Sequence, residues 1–207
     1  MPLVPTLKAA AVHRGLVAPG ASVDAATAFA LVRDMPVRRA SSRDPEHTIA
    51  EWQASRSGKH ILLQVLFEEL GMPATIILAP HEFTEDSTPW LPPALLDLVR
   101  EAPVADVHSF LRVQPSSEAD WMTVDATWPL AAREFGVPVN EAFVSGRDMT
   151  IAADPIEVHH VPPDADPAEM ERRILDDLLP DERARRETFL DGLVAWLAEV
   201  LPPPGRA

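Results

Sequence analysis

The 207-residue chain contains no cysteine. Disulfides, thiolate metal sites and thiol catalysis are excluded at the outset. Lysine is almost missing as well: Lys8 and Lys59 are the only two, and every other long basic side chain is arginine. With the high alanine and proline content, that bias points to a GC-rich bacterial genome. No apolar run approaches the ~18–20 residues needed to cross a bilayer. The opening "MPLVPTLKAAAVHRGLVAPG" lacks the continuous apolar centre of a secretory signal and carries two early prolines instead. The expectation is a soluble, cytoplasmic protein. An excess of positive charge is missing too: net charge is −14, with a pI near 4.8. A nucleic-acid partner is therefore not expected, and the acidity is read as a solubilising surface. No internal repeat is present.

The hydrophobic fraction of 46% is that of a globular chain. "SVDAATAFALVRDM" has helical spacing, with Ser22 as the expected cap. "DPEHTIAEWQA" predicts a second helix, capped by Asp44 with Pro45 at the first helical position. In "ASRSGKHILLQVLFEELGMPA", apolar residues from Ile61 to Leu70 cover most of the circumference. Such a helix belongs at the centre of a domain. Its early residues, Ser57 to His60, are polar, and Gly71 ends it. "ATIILAP" predicts a buried strand, "HEFTEDSTPWLPP" a polar loop and "PPALLDLVREA" a short helix. "DVHSFLRVQ" alternates, with Val107, Ser109, Leu111 and Val113 on one face and His108, Phe110 and Arg112 on the other. It forms an expected hairpin with "WMTVDATW"; a short helix "PLAAREFG" and a strand "IEVHHV" follow. "PPDADP" marks a linker before two helices, 167–179 and 181–201, and "PPPGRA" a frayed tail.

A buried helix with a polar start, followed by strands bearing His108 and Asp125, sets up an imidazole–carboxylate pair beside a positive helix end. The motifs are specific enough to resemble a known family. "ELGMPA" matches the end of the transglutaminase-like helix motif, "SGKHILL" its beginning, "HSFLRV" its histidine strand and "WMTVDAT" its aspartate strand. The chain is thus similar to the transglutaminase-like family of the papain-type cysteine-enzyme superfamily. The resemblance covers roughly residues 45–155. It implies an α+β fold with a papain-like core: a buried central helix packed on an antiparallel sheet, with added C-terminal helices. It also implies a transglutaminase-like domain over 1–163, a helical extension over 164–201 and a tail over 202–207.

The family's nucleophilic cysteine falls on Arg56 in this chain. A guanidinium stays protonated and has no nucleophilic character. Thiol chemistry therefore does not carry over. The resemblance assigns His108 and Asp125 as the candidate catalytic pair. Arg56, Ser57, Lys59 and Trp128 are candidate binding residues. Arg56 could hold a carboxylate or phosphate in a fork, or pair internally with Asp125 or a nearby glutamate. Ser57 could replace the nucleophile, although one residue further along a helix is ~100° of rotation away; its plainer role is a helix cap. Lys59 could hold an anion near the cleft, and Trp128 could wall it. His81, Glu82, Glu85 and Asp86 match no ligand spacing, and adjacent His159 and His160 face opposite sides of a strand, so neither a metal nor a cofactor is expected.

The leading expectation is a protein without thiol chemistry that binds a peptide or an acidic small molecule in the former active-site cleft. One alternative is a non-thiol enzyme, with His108 and Asp125 as an acid–base pair and Arg56 anchoring an anionic substrate, or with Ser57 as the nucleophile of a hydrolase. Another is a structural or interaction protein acting through its C-terminal helices.

Overall fold

The computed structural model describes residues 2–178 and 182–201. In chain order the helices are α1 (Leu3–His13), α2 (Ala25–Arg33), α3 (Pro45–Glu51), α4 (Arg56–Glu69), α5 (Pro93–Glu101), α6 (Pro167–Leu178) and α7 (Arg183–Val200). The strands are β1 (Ala74–Phe83), β2 (Val104–Val113), β3 (Met122–Val124) and β4 (His159–His160). They form one antiparallel sheet in the order β3-β2-β1-β4. The architecture is α+β.

Helix α4 sits between two layers, with α1, α2 and α3 on one side and β1 and β2 on the other. This is where its all-round apolar sequence belongs. Leu62, Leu63, Leu66 and Phe67 are fully buried and join Ile76, Leu78, Leu111 and Val124 of the sheet in the main core. The helix closes on a two-bond C-terminal motif: Met72 N–H donates to the Phe67 carbonyl and Gly71 N–H to Glu68. Gly71 takes the left-handed backbone this requires, with φ 81°. A second core joins α5 and α7 through Leu95, Val99, Phe189 and Leu193, with Phe83 and Trp128.

The alternation in β2 comes out as expected. Val107, Leu111 and Val113 enter the main core, while Phe110 packs with Ile77 and Ala79 on the other face. Several local expectations are corrected. Asp24, not Ser22, caps α2, taking the Thr27 N–H at 2.8 Å. β1 runs on through "HEF" because it stays paired with β2 as far as Phe83↔Val104. "PLAAREFG" forms a 3-10 helix, Leu130–Phe135. "IEVHHV" shrinks to the two residues of β4, leaving Ile156 and Val158 exposed. The expected helix boundary at 179–181 and the tail lie outside the described residues. Among those described, no helix is long and apolar enough to cross a membrane.

The first helix, α1, has no counterpart in the periodicity reading. Its N-terminus has no side-chain cap of its own. Instead the Glu69 carboxylate, at the end of α4, takes the Leu3 N–H at 2.6 Å and the Val4 N–H at 2.8 Å. Replacing Glu69 with alanine removes this remote cap. The expected loss is about 0.5–2 kcal/mol, read from urea denaturation, with faster amide exchange confined to α1.

Candidate functional site

Strand β3 pairs only with Leu111–Val113. The rest of that edge of β2, running back to Val104, has no strand beside it. Here the start of α4 meets the sheet. Ser55 caps the helix, accepting the Gly58 N–H at 3.0 Å, so the capping role expected of Ser57 falls two residues earlier. A cavity of about 230 Å³ opens at this junction. Ser55, Arg56 and Ser57 line it together with Val107, His108 and Ser109, and α6 and α7 close it with Glu171, Arg186 and Leu190 among others. Ser57 thus shares the cavity with Arg56 and His108, although the rotation per residue had placed it elsewhere.

His108 and Asp125 are brought together, with Nε2 at 2.7 Å from Oδ2. Both are nearly fully buried. The carboxylate also accepts the backbone N–H of Thr127 at 2.9 Å and of Ala152 at 2.8 Å. Burial by itself would raise the pKa of Asp125. The His108 imidazole outweighs it, and the group is held well below the usual carboxylate range. Burial lowers the pKa of His108, against the pull of Asp125. The pair is therefore an ionised carboxylate accepting from a neutral imidazole through Nε2–H. The other ring nitrogen, Nδ1, has no hydrogen-bond partner among the described residues.

His60 supports the same region. Ala126 N–H donates to its Nε2 at 3.0 Å, which requires that nitrogen to be unprotonated. Its Nδ1–H then donates to Ser109 Oγ at 3.2 Å. His60 thus ties α4 to β2 and to the chain just after β3, in a packing role.

Arg56 is not the partner of Asp125. It forms an ion pair with Asp106, and Arg186 of α7 binds the other oxygen of the same carboxylate. Asp106 is fully buried, and burial would raise its pKa. Arg56, His81 and Arg186 outweigh that and hold it far below the normal range. The Arg56 guanidinium also lies 5.4 Å from the Phe83 ring and 6.0 Å from that of Trp128. Trp128 is packed in the second core and does not line the cavity.

Lys59 is also absent from the cavity wall. It is fully buried, with Nζ donating to the carbonyls of Arg33 at 2.6 Å and Thr127 at 3.2 Å. It joins the end of α2 to the segment after Asp125. Burial lowers its pKa to about 7, partly opposed by Asp34.

Sequence reasoning missed Asp106, Arg186, Glu171, Arg43, Arg38 and Arg39. Glu171 is buried on α6, where burial raises its pKa and Arg43 at 3.0 Å opposes the rise. Arg38 and Arg39 line the cavity, are exposed, and have no side-chain partner among the described residues. The only available signal was the run "RR" before "ASSR", in a chain poor in cations. A larger cavity of about 720 Å³, near Trp52 and Leu197, holds none of His108, Asp125 or Arg56. No group of three or more metal-ligating side chains occurs among the described residues. No protein-family model, curated protein or solved structure matches the chain.

Two outcomes test these assignments. Between about pH 7 and 10.5 the unfolded chain keeps the Lys59 proton that the folded chain has released. The unfolded state binds more protons there, so stability rises with pH across that window, by a few kcal/mol in order of magnitude. The chain has no cysteine and no tyrosine to titrate in the same range. Thermal denaturation of Lys59→Met should show this rise flattened; an unchanged pH slope would exclude Lys59 as its source.

The second concerns Asp106. Arg56→Ala and Arg186→Ala should each cost about 1.5–3 kcal/mol in urea denaturation, since one guanidinium remains. The double variant should lose more than the sum, because only then is a buried carboxylate left without an arginine. Adding Asp106→Asn should recover much of that loss. Simple additivity would show that the two arginines do not share one anion.

Proposed function

We propose that this chain is a transglutaminase-like protein that has given up thiol chemistry and binds an anionic small molecule in the cavity at the start of α4. The carrying observation is the charge of that cavity. Five arginines line it against Glu171 and Asp191, in a chain of net charge −14. Asp106 occupies Arg56 and Arg186, and Glu171 occupies Arg43. Arg38 and Arg39 are left over. An acidic protein that gathers unneutralised guanidinium groups at one concave place has a site suited to an anion, with the start of α4 adding a favourable dipole end. The family reading draws support from the 2.7 Å contact of His108 with Asp125 beside that helix start. The adjacency follows from motifs that resemble the family's, and Arg56 stands where the nucleophile would be.

A second reading has one observation in its favour. His108 lines the cavity beside Ser57, neutral and anchored by Asp125, with Nδ1 unpartnered. That is the arrangement a general base requires. It would serve a non-thiol reaction on the same anionic ligand.

Binding is tested with acetate and phosphate, followed by calorimetry and thermal shift on the full chain. Arg39→Ala should leave melting in plain buffer unchanged, since its guanidinium holds nothing. It should weaken the anion roughly 10- to 150-fold, the loss of a charge-assisted contact. No response of the unaltered protein to millimolar anion, or an equal response of the variant, would end this reading.

A further inference from the structure

We propose that the ligand of this cavity is a short-chain monocarboxylate of about six carbons. The inference rests on the anion-binding reading above and adds the size, the charge and the apolar half of the ligand.

The cavity walls are of two kinds. Arg38 and Arg39 supply the free cations. Leu190, Leu193 and Val194 lie three and four positions apart on α7, which puts them on one face of that helix. With Val37 and Val107 they give the same cavity an apolar wall. An inorganic anion would satisfy the arginines and leave this wall uncovered. An alkyl chain attached to the anion covers it and gains the transfer free energy of each methylene.

Volume sets the length. At roughly 30 Å³ for each water-sized volume, a cavity of about 230 Å³ holds about eight non-hydrogen atoms. A six-carbon carboxylate has that number, and a longer chain extends past the walls into solvent. Charge and the apolar wall together set the class. Five lining arginines set against Asp106, Glu171 and Asp191 leave a surplus of two positive charges, because Arg56 and Arg186 share one carboxylate. That surplus holds an anion, and the apolar wall beside it favours a carboxylate with an alkyl chain over phosphate.

Calorimetry on the full chain, with straight-chain carboxylates from acetate to decanoate, phosphate and hexanol, tests this directly. Affinity should climb about fourfold per methylene up to hexanoate and level off beyond it. Hexanol should bind far more weakly than hexanoate. Arg39→Ala should weaken every carboxylate and leave hexanol unchanged, whereas Leu190→Gln should reduce the gain per methylene and spare acetate. Phosphate binding as tightly as hexanoate would overturn the monocarboxylate and leave the anion site standing. Affinity still rising at decanoate would mean an open apolar surface, and would overturn the size limit on which the proposal depends. If neither carboxylates nor phosphate bind, both this inference and the anion-binding reading fall.

Discussion

A fully buried carboxylate, Asp106, is the constraint around which the three parts of the molecule meet. An anion removed from water is costly unless cations or donors surround it. Asp106 belongs to the sheet, and its two oxygens are met from two directions, by Arg56 at the start of α4 and by Arg186 on α7. The central helix, the sheet and the C-terminal helices therefore share one electrostatic joint. Only the loss of both arginines would leave that charge uncompensated between the three parts. A joint of this kind also fixes the mouth of the cavity, because the same two side chains form part of its wall.

The second buried carboxylate, Asp125, is satisfied in a different way. It is held by one imidazole and two backbone N–H groups rather than by arginine. Nearby, Lys59 and His60 bond the segment after β3 to α2 and α4. The consequence is a pair that stays in place without depending on whatever stands at the helix start. On the reading proposed here, that is how a nucleophile could be exchanged for arginine while the frame around it was kept. Arg56, held by Asp106, belongs to that frame.

Much of the fold was legible because it depends on local periodicity. The all-round apolar helix, the alternation in β2 and the Asp44–Pro45 helix start each follow from spacing within a few residues. What was not legible depended on partners far along the chain. The N-terminus of α1 is capped by Glu69, 66 residues beyond Leu3, so nothing in its own sequence announces where it begins. "IEVHHV" has the composition of a strand, yet only His159 and His160 form ladder pairs with β1, while Ile156 and Val161 add one backbone hydrogen bond each, to the carbonyls of Pro80 and Ile76. Lys59 looked like a cation for the cleft from its place near the helix start. Its direction around α4 sends it into the interior instead, where two carbonyls hold it.

The sequence by itself determined the chemistry that cannot happen here, since no thiol exists to perform it, and it determined the central helix and its polar start through hydrophobic period. It also brought His108 and Asp125 into consideration, through motifs that resemble those of a known family. Tertiary structure decided the rest of the site. Arg56 could have faced Asp125, a glutamate or an empty cleft, and all three were consistent with its place in the chain. The choice fell to Asp106 because charge pairing inside a protein depends on which buried groups meet in space. A gap in strand pairing along β2 and the approach of α7 made that meeting, and neither can be read from the residues one at a time.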